Sequence, residues 1–270
     1  SIAVRLDAVD TCPRYLAIAL DGITVGPSPA WVQERLAAAG IRAISNVVDV
    51  TNLVMLEWGH PMHAFDRDRL AGDALDVRAA HPGERLVTLD GVERSLEPSY
   101  LVIADAHGPV ALAGVMGGEV SGVRDTTRRI VLEVAAFDPS SIRRTSRSLG
   151  LHSESSQRFA RGVDVATLGL AAAEAVRLLG ELAGAKRDGA VTEVGSIGAP
   201  GTEILVSSAQ VEGLLGSDLL DDSVRRALGL LGFRLRDIDG SAFAVDVPSW
   251  RAGDVKRPVD VLEEIARFRG

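Results

Sequence analysis

Glu133 stands in the middle of an otherwise apolar run, IVLEVAAF at residues 130–137. A carboxylate in such a run lies either on the solvent face of a strand or in a buried place beside a partner. Because side chains alternate along a strand, Glu133 shares its face with Val131 and Ala135. That face suits solvent, and it equally suits the floor of a pocket.

Two histidines and a glycine-rich stretch are further candidates for chemistry. His60 and His63 are close together in GHPMHAFD, but no Cys or further His nearby completes a zinc site, which favours a structural or surface pair. Residues 112–122, LAGVMGGEVSG, match no phosphate-binding loop. They predict a tight β-turn region, or else a pocket wall with exposed backbone N–H groups. The sequence contains no Walker loop, GxSxG elbow or HExxH motif.

The last part of the chain carries a group of carboxylates. Residues one helical turn apart share a face, and like charges that close repel unless solvent or a cation neutralises them. Hard oxygen ligands suit Mg²⁺, whereas acidic residues also favour a helix start through the macrodipole. The residue types alone favour the helix start. The four carboxylates are Asp254, Asp260, Glu263 and Glu264.

Arginines are concentrated in one segment of an acidic protein. Residues 124–161 contain eight arginines against four carboxylates, a net charge of +4, in a chain of net charge −8. Such a segment is either a solvated helix face with scattered ion pairs or a local surface that contacts phosphates.

Composition excludes several classes of protein. With 270 residues, 46% of them apolar and 24% charged, the chain is not disordered, and its single cysteine, Cys12, excludes a disulfide scaffold and fits a reducing cytosol. No uninterrupted apolar run predicts a membrane span, and residues 1–15 do not read as a signal peptide. The sequence starts without Met, from which we expect a piece of a longer protein. The acidic balance argues against a general nucleic-acid binder.

The elements that position these residues indicate an α+β fold rather than regular βαβ alternation. Residues 28–39 predict a helix that Ser28 caps and Gly40 ends, while the pattern of 46–56 leaves helix and strand open. The Asp-Gly pair in LDGVER, 89–94, predicts a hairpin. Further strands are predicted at 4–9, 15–20, 75–79, 85–89, 100–104, 109–113 and 130–134, and helices at 138–149 and 164–185.

A run of small residues, GSIGAPGTE at 195–203, predicts a boundary between domains 1–199 and 200–270. In the second domain, two helices precede a hairpin with an Asp-Gly tip, a pattern that resembles a winged helix. With 9 basic and 12 acidic residues this domain has a net charge of −3, which argues against DNA binding. Its predicted strands are 203–206, 233–237 and 242–247, and its predicted helices 208–215, 222–231 and 257–268.

Four long segments resemble bacterial phenylalanine–tRNA ligase beta subunits, and together they extend over essentially the whole chain. They are 41–66, 111–123, 131–164 and 247–270. The resemblance implies a central fragment of that subunit, with a mixed α+β editing domain at 1–199. A small winged-helix-like α+β module at 200–270 follows it.

In that family the editing domain hydrolyses tyrosine that has been wrongly attached to tRNA(Phe). A pocket shaped for phenylalanine cannot strongly reject a near-isostere with one added hydroxyl, so a second site must select it. By the resemblance Glu133 accepts the phenol hydroxyl of tyrosine. The residues Thr51, Asn52, His63, Ala113 and Gly114 shape the pocket, hold the aminoacyl adenosine end and position water.

The resemblance also implies partners. The partners are tRNA(Phe) and an alpha subunit, which binds ATP and forms an α2β2 heterotetramer with the beta subunit. The implied location is the cytoplasm, and neither a membrane nor DNA is expected as a partner. Asp254, Asp260, Glu263 and Glu264 match positions that bind Mg²⁺ at the boundary with the alpha subunit. The alternative is a non-catalytic scaffold that contacts tRNA, favoured by the arginine-rich segment and the absence of a strong nucleophile.

Overall fold

The computed structural model describes residues 1–196, 202–216, 222–238 and 241–269. The chain divides into two compact units, Ser1–Ile197 and Gly198–Gly270. Most of the predicted linker at 195–203 lies outside the described residues, as does the predicted Asp239–Gly240 tip of the second hairpin.

The first unit mixes twelve strands with five helices among its described residues. In chain order they are β1 (Ala3–Leu6), β2 (Arg14–Asp21), α1 (Ala30–Ala38), α2 (Asn46–Trp58), β3 (Met62–Asp66), β4 (Ala74–Ala79), β5 (Arg85–Val87), β6 (Glu93–Ser95), β7 (Leu101–Ala104), β8 (Pro109–Leu112), β9 (Met116–Gly117), β10 (Arg129–Ala136), α3 (Pro139–Leu149), α4 (Glu154–Phe159), α5 (Leu168–Ala183), β11 (Lys186–Arg187) and β12 (Thr192–Gly195).

Two sheets form the framework of this unit. One has the order β1-β4-β7-β8-β9, with β1 parallel to β4 and the other pairs antiparallel. The other is antiparallel with the order β11-β2-β10-β3, and β12 also pairs with β2. Strands β5 and β6 form the separate hairpin that the Asp-Gly pair predicts.

Strand β10 is buried on both faces, which explains its almost continuous apolar sequence. On one face Ile130, Leu132 and Val134 belong to a core cluster with α1, α2 and α5. On the other face Val131 and Ala135 belong to a cluster that includes the first sheet. Glu133 lies on the same face as Val131 and Ala135, so its side chain points toward the space between the two sheets.

Residues 46–56, for which the sequence leaves helix and strand open, lie in helix α2. The Ser45 side chain caps its start, and Gly59 ends it in the left-handed conformation at φ 74°. Asn46 fixes this helix to its neighbours, because its Nδ2 donates to the carbonyls of Thr24 and Leu182, both at 2.9 Å. The result is a rigid support for the residues on the following turns.

The predicted role of Ser28 as a helix cap is wrong. Helix α1 begins at Ala30, and Pro29 precedes it without a side-chain cap. The Ser28 hydroxyl instead donates to Oδ2 of Asp49 at 2.6 Å. The Asp49 carboxylate is buried, so satisfying it outweighs a cap that solvent can replace.

The second unit contains, among its described residues, β13 (Glu203–Ser207), α6 (Ser208–Leu215), α7 (Asp222–Leu230), β14 (Arg234–Asp237), β15 (Ala242–Asp246) and α8 (Pro258–Arg269). These elements match the predicted ones. The antiparallel sheet has the order β13-β15-β14 and packs with the helices through a core that includes Val206, Leu228, Phe243 and Ile265. In the described residues no helix of the chain is long and apolar enough to cross a membrane.

Candidate functional site

The six residues that the sequence analysis assigns to a pocket line one and the same pocket of about 240 Å³. They come from four separate places in the chain: helix α2, strand β3, the turn after β8, and strand β10. These residues are Thr51, Asn52, His63, Ala113, Gly114 and Glu133.

Glu133 is the most unusual of them. Its side chain is 6% exposed, and its Oε2 has no hydrogen-bond partner among the described residues. Burial disfavours the charged form and raises the pKa of Glu133 from 4.5 to about 8. The Tyr15 hydroxyl opposes part of this rise, although it makes no hydrogen bond of ordinary geometry. The pocket thus holds an acidic group that is mostly protonated at neutral pH and ready for a polar partner.

His63 faces Glu133 across the sheet, because β3 pairs with β10 in a register that puts these two residues opposite each other. Its ring packs edge-on against Phe65, with centroids 4.5 Å apart. The His63 Nε2 is enclosed without a hydrogen-bond partner, and burial lowers the pKa of His63 to about 4. At neutral pH the imidazole is therefore uncharged, and one nitrogen is free to accept a proton or a hydrogen bond.

Glycines bring the opposite wall close to His63. A Cβ on Gly117 would lie 2.4 Å from Cε1 of His63, so the strand β9 approaches the imidazole only because this residue has no side chain. Gly114 adopts φ +67°, and its Cβ would meet Phe137 and Ile142 side chains at 2.8 Å each. Residues 112–122 therefore form both structures that the sequence allows, a tight turn and a wall of the pocket.

Helix α4, which is absent from the elements predicted from sequence, completes the wall. The Ser153 hydroxyl donates to the Val115 carbonyl at 2.7 Å, and the Ser155 hydroxyl donates to the Gly114 carbonyl at 3.1 Å. Ser153 also caps α4 through a reciprocal bond with Ser156. The spacing of Ser153 and Ser156 was the available signal, since two residues three apart form such a cap at a helix start.

Thr51 and Asn52 present different chemistry to the pocket. The Thr51 hydroxyl donates to the Val48 carbonyl of its own helix at 2.7 Å and keeps its lone pairs for a ligand. The Asn52 amide makes no hydrogen bond to any residue that the structure describes, and it is half-buried beside the pocket. It offers both a donor and an acceptor.

His60 does not line this pocket. It is fully buried, and its Nε2 lies 2.9 Å from the Thr167 hydroxyl. The two histidines therefore form no metal pair, and within the described ranges no three His, Cys, Asp or Glu residues are grouped to hold a metal.

The carboxylates near the end of the chain are engaged by arginines. Arg251 holds both Asp254, at 2.7 Å, and Glu264, at 2.6 Å. The Arg257 side chain and the backbone N–H groups of Lys256 and Arg257, just before α8, hold Asp260 and lower its pKa to about 2. Glu263 is exposed. In this arrangement the four carboxylates do not fit a Mg²⁺ site, because they do not converge and three have cationic partners.

Sequence comparison agrees with the two-unit fold. Residues 11–184 match the B3/4 domain model, and residues 204–270 match the tRNA synthetase B5 domain model. The chain therefore belongs to the B3/4 domain family, and a B5 domain follows the B3/4 domain along the chain. Along its whole length it corresponds to the B3/4–B5 region of phenylalanine–tRNA ligase beta subunits, which confirms the resemblance and the α+β fold class.

Individual relatives give the extent of this similarity. The chain is 48% identical over 271 residues to the phenylalanine–tRNA ligase beta subunit of Gloeobacter violaceus, covering 100% of the chain and 34% of the relative. It is also 48% identical over 267 residues to that of Geobacter metallireducens, covering 99% and 33%. It thus spans about a third of their length. A beta-subunit fragment from Pyrococcus horikoshii has a TM-score of 0.45 and 15% identity, over 98% of this chain and 74% of that one.

The close packing of Gly117 against the His63 ring can be tested with a double-mutant cycle. We expect Gly117→Ala to lower the free energy of unfolding by about 1–3 kcal/mol, because the new Cβ overlaps the imidazole. In a His63→Ala background the same change should be neutral or stabilising. Urea denaturation of the four proteins measures both values.

Gly118→Ala is the matched control, because its Cβ would lie 2.5 Å from the backbone oxygen of Val110 instead of a side chain. Its cost should persist in the His63→Ala background. Equal costs of Gly117→Ala in both backgrounds would contradict the packing that we describe.

The two pKa shifts of the pocket predict an asymmetric dependence of stability on pH. Between pH 6.5 and 8 the unfolded chain has lost the Glu133 proton and the folded chain keeps it, so rising pH favours unfolding. We expect the free energy of unfolding to fall by about 2 kcal/mol across this window through Glu133 alone. Between pH 4.5 and 6.5 the two groups oppose each other and their contributions nearly cancel, because falling pH favours unfolding through His63 and folding through Glu133.

Denaturation of Glu133→Gln at several pH values checks this expectation. The variant should lose the fall between pH 6.5 and 8, whereas Glu119→Gln, which removes an exposed carboxyl of the same unit, should keep it. A Glu133→Gln profile that coincides with the wild-type profile would show that this carboxyl ionises normally in the folded protein.

Proposed function

We propose that this pocket hydrolyses tyrosine from tyrosyl-tRNA(Phe) and thereby edits the product of phenylalanyl-tRNA synthesis. The observation that carries the proposal is the buried Glu133, whose Oε2 lacks a partner among the described residues at the floor of the pocket. Of the two amino acids, only tyrosine brings a hydroxyl that satisfies it.

Selection follows from the cost of burying an unpaired polar group. The phenol O–H of tyrosine donates to Glu133, whereas phenylalanine leaves that carboxyl buried and unsatisfied at a cost of about 1–3 kcal/mol. A pocket built to bond a hydroxyl discriminates against an analogue that lacks it far better than an apolar pocket rejects an added hydroxyl. This asymmetry is the reason for a second site.

The chemistry needs a positioned water rather than a protein nucleophile. Water attacks the ester carbonyl, the bond from that carbon to the ribose oxygen breaks, and the ribose oxygen takes up a proton, which yields tyrosine and uncharged tRNA. The uncharged His63 accepts a hydrogen bond from the water, while Asn52 and Thr51 hold the adenosine end. The Ser153 and Ser155 hydroxyls already donate to backbone carbonyls, and no base among the described pocket residues bonds to them.

The same proposal includes the partners of the whole enzyme. The chain is one part of a beta subunit that works in the cytoplasm with an ATP-using alpha subunit, in an α2β2 assembly, and with tRNA(Phe). Support for these partners comes from the similarity over the full chain and from the match to a tRNA synthetase B5 domain.

Deacylation assays test the editing activity. We expect the whole enzyme to release tyrosine from tyrosyl-tRNA(Phe) with a kcat/KM that exceeds the value for phenylalanyl-tRNA by about 10- to 100-fold. This ratio should rise as the pH passes through about 8, where half of Glu133 is ionised, and level off only above that pH, because the ionised Glu133 is the stronger acceptor. Glu133→Ala should abolish the preference, and Glu133→Gln should keep part of it but remove its pH dependence.

Glu119→Gln, an exposed carboxyl outside the pocket lining, is the control and should behave as wild type. If tyrosyl-tRNA and phenylalanyl-tRNA are hydrolysed equally, or if Glu133→Ala keeps the preference, the editing proposal is wrong. The alternative of a tRNA-contacting scaffold then stands.

Magnesium at Asp254, Asp260, Glu263 and Glu264 belongs to the assembled enzyme in this proposal, and its support is the sequence resemblance alone. Arg251 and Arg257 would have to release their carboxylates for these oxygen atoms to hold the ion. We expect calorimetric Mg²⁺ titration to detect this site in the complex with the alpha subunit and not in this chain alone. Glu263→Gln should weaken it, and unchanged binding in that variant would refute the assignment.

A further inference from the structure

A second pocket of the first unit, of about 260 Å³, lies between α3 and α4 and is separate from the site described above. Its lining is dominated by cationic and hydrogen-bonding side chains. They include Arg143, Arg147, His152, Arg161, Ser156 and Gln157. Its residues fall within the arginine-rich segment 124–161, whose arginines the editing chemistry does not use.

The local fold sets up this arrangement. Arg143 and Arg147 are four residues apart on α3, so they share one face of the helix. Helix α3 ends at Gly150 in the left-handed conformation, and the Ser146 hydroxyl donates to the Leu151 carbonyl, which turns the chain sharply toward α4. Arg143 also donates to the Ala160 carbonyl at 2.6 Å, which joins α3 to the end of α4.

The cations of this pocket lack the partners that other arginines have. Among the described residues neither Arg147 nor Arg161 forms an ion pair with a carboxylate, whereas Arg177 binds both Glu174 and Glu181. Guanidinium groups that have no carboxylate partner and surround one concave surface favour the binding of an external anion. Guanidinium groups match phosphate oxygens in geometry as well as in charge.

Helix α4 is a wall that the two pockets share. Ser153, Glu154 and Ser155 line the first pocket, while Ser156, Gln157 and Ala160 line the second. Two consecutive residues, Ser155 and Ser156, thus line different pockets, so the pockets are neighbours along this short helix. A strand whose end occupies the first pocket needs only a short run of nucleotides to reach the second.

We propose that this cationic pocket binds backbone phosphates of the RNA strand whose aminoacylated 3′ end enters the Glu133 pocket. The inference rests on the proposed editing function for the direction of the strand, and on the unpaired arginines for the phosphate contact. Phosphate contacts of this kind position a strand without reading its sequence. They would hold the 3′ end in register while the ester is hydrolysed.

Removal of Arg147 and Arg161 tests the proposal. In the double variant Arg147→Ala/Arg161→Ala of this chain, we expect labelled uncharged tRNA to bind about tenfold more weakly in fluorescence anisotropy at moderate salt. The slope of log affinity against log salt should become shallower by about 1.4, because two phosphate contacts on a single strand are lost. For tyrosyl-tRNA the KM should rise by a similar factor with kcat unchanged.

The matched control is Arg124→Ala/Arg144→Ala, which removes the same charge from two exposed arginines of the same segment outside the pocket lining. It should change affinity by less than about threefold. Equal losses of tRNA affinity in both double variants would show only a general electrostatic effect and would overturn the proposal. Failure of the wild-type chain to bind tRNA would overturn it as well. Thermal melts of both variants exclude misfolding as the cause.

The binding arm is independent of hydrolysis. If wild-type protein binds tRNA through Arg147 and Arg161 but does not deacylate tyrosyl-tRNA, the editing function fails and the phosphate site stands. If it deacylates tyrosyl-tRNA with the same KM in wild type and in Arg147→Ala/Arg161→Ala, the phosphate site fails and the editing function stands.

Discussion

Burial of one carboxyl group between two sheets is the constraint on which the site depends. Glu133 lies on a strand whose neighbours on both sides are packed against core clusters, so its side chain cannot turn to solvent. The protein tolerates this cost because the carboxyl remains protonated at neutral pH instead of ionising. Because this buried polar group has no partner, a ligand that supplies a hydrogen-bonding group to it gains binding free energy.

Burial also removes the charge of His63, but it does so by lowering the pKa of this residue, whereas it raises the pKa of Glu133. His63 is placed across the sheet from Glu133 and loses its charge through burial, just as Glu133 does. These two facing side chains are therefore uncharged near pH 7, although one is an acid and the other a base. Such an environment excludes ions and selects hydrogen-bonding groups, which suits the phenol of a tyrosyl ester better than a free amino acid with its carboxylate.

Helix α4 links recognition of the amino acid to recognition of the strand that carries it. It is only six residues long, and its position depends on the serine bonds to the Gly114 turn and on the bond from Arg143 to Ala160. Some of its residues line the largely apolar pocket of Glu133, and others line the pocket of unpaired cations. A short helix with strong bonds at both ends can thus separate two environments of very different polarity.

Periodicity and turn residues are local signals, and they were enough to predict the α+β class and most element positions. The long motifs, through the family resemblance, predicted the six pocket residues. The sequence left open whether 46–56 is a helix, misassigned Ser28, and missed β3 as a strand and α4 as a wall. The tertiary structure was needed to show that Glu133 is buried rather than solvated, that Asp254 and Glu264 share Arg251, and that two arginines of α3 and Arg161 surround one pocket. These outcomes depend on contacts between residues far apart in the chain, whose desolvation and pairing no local pattern encodes.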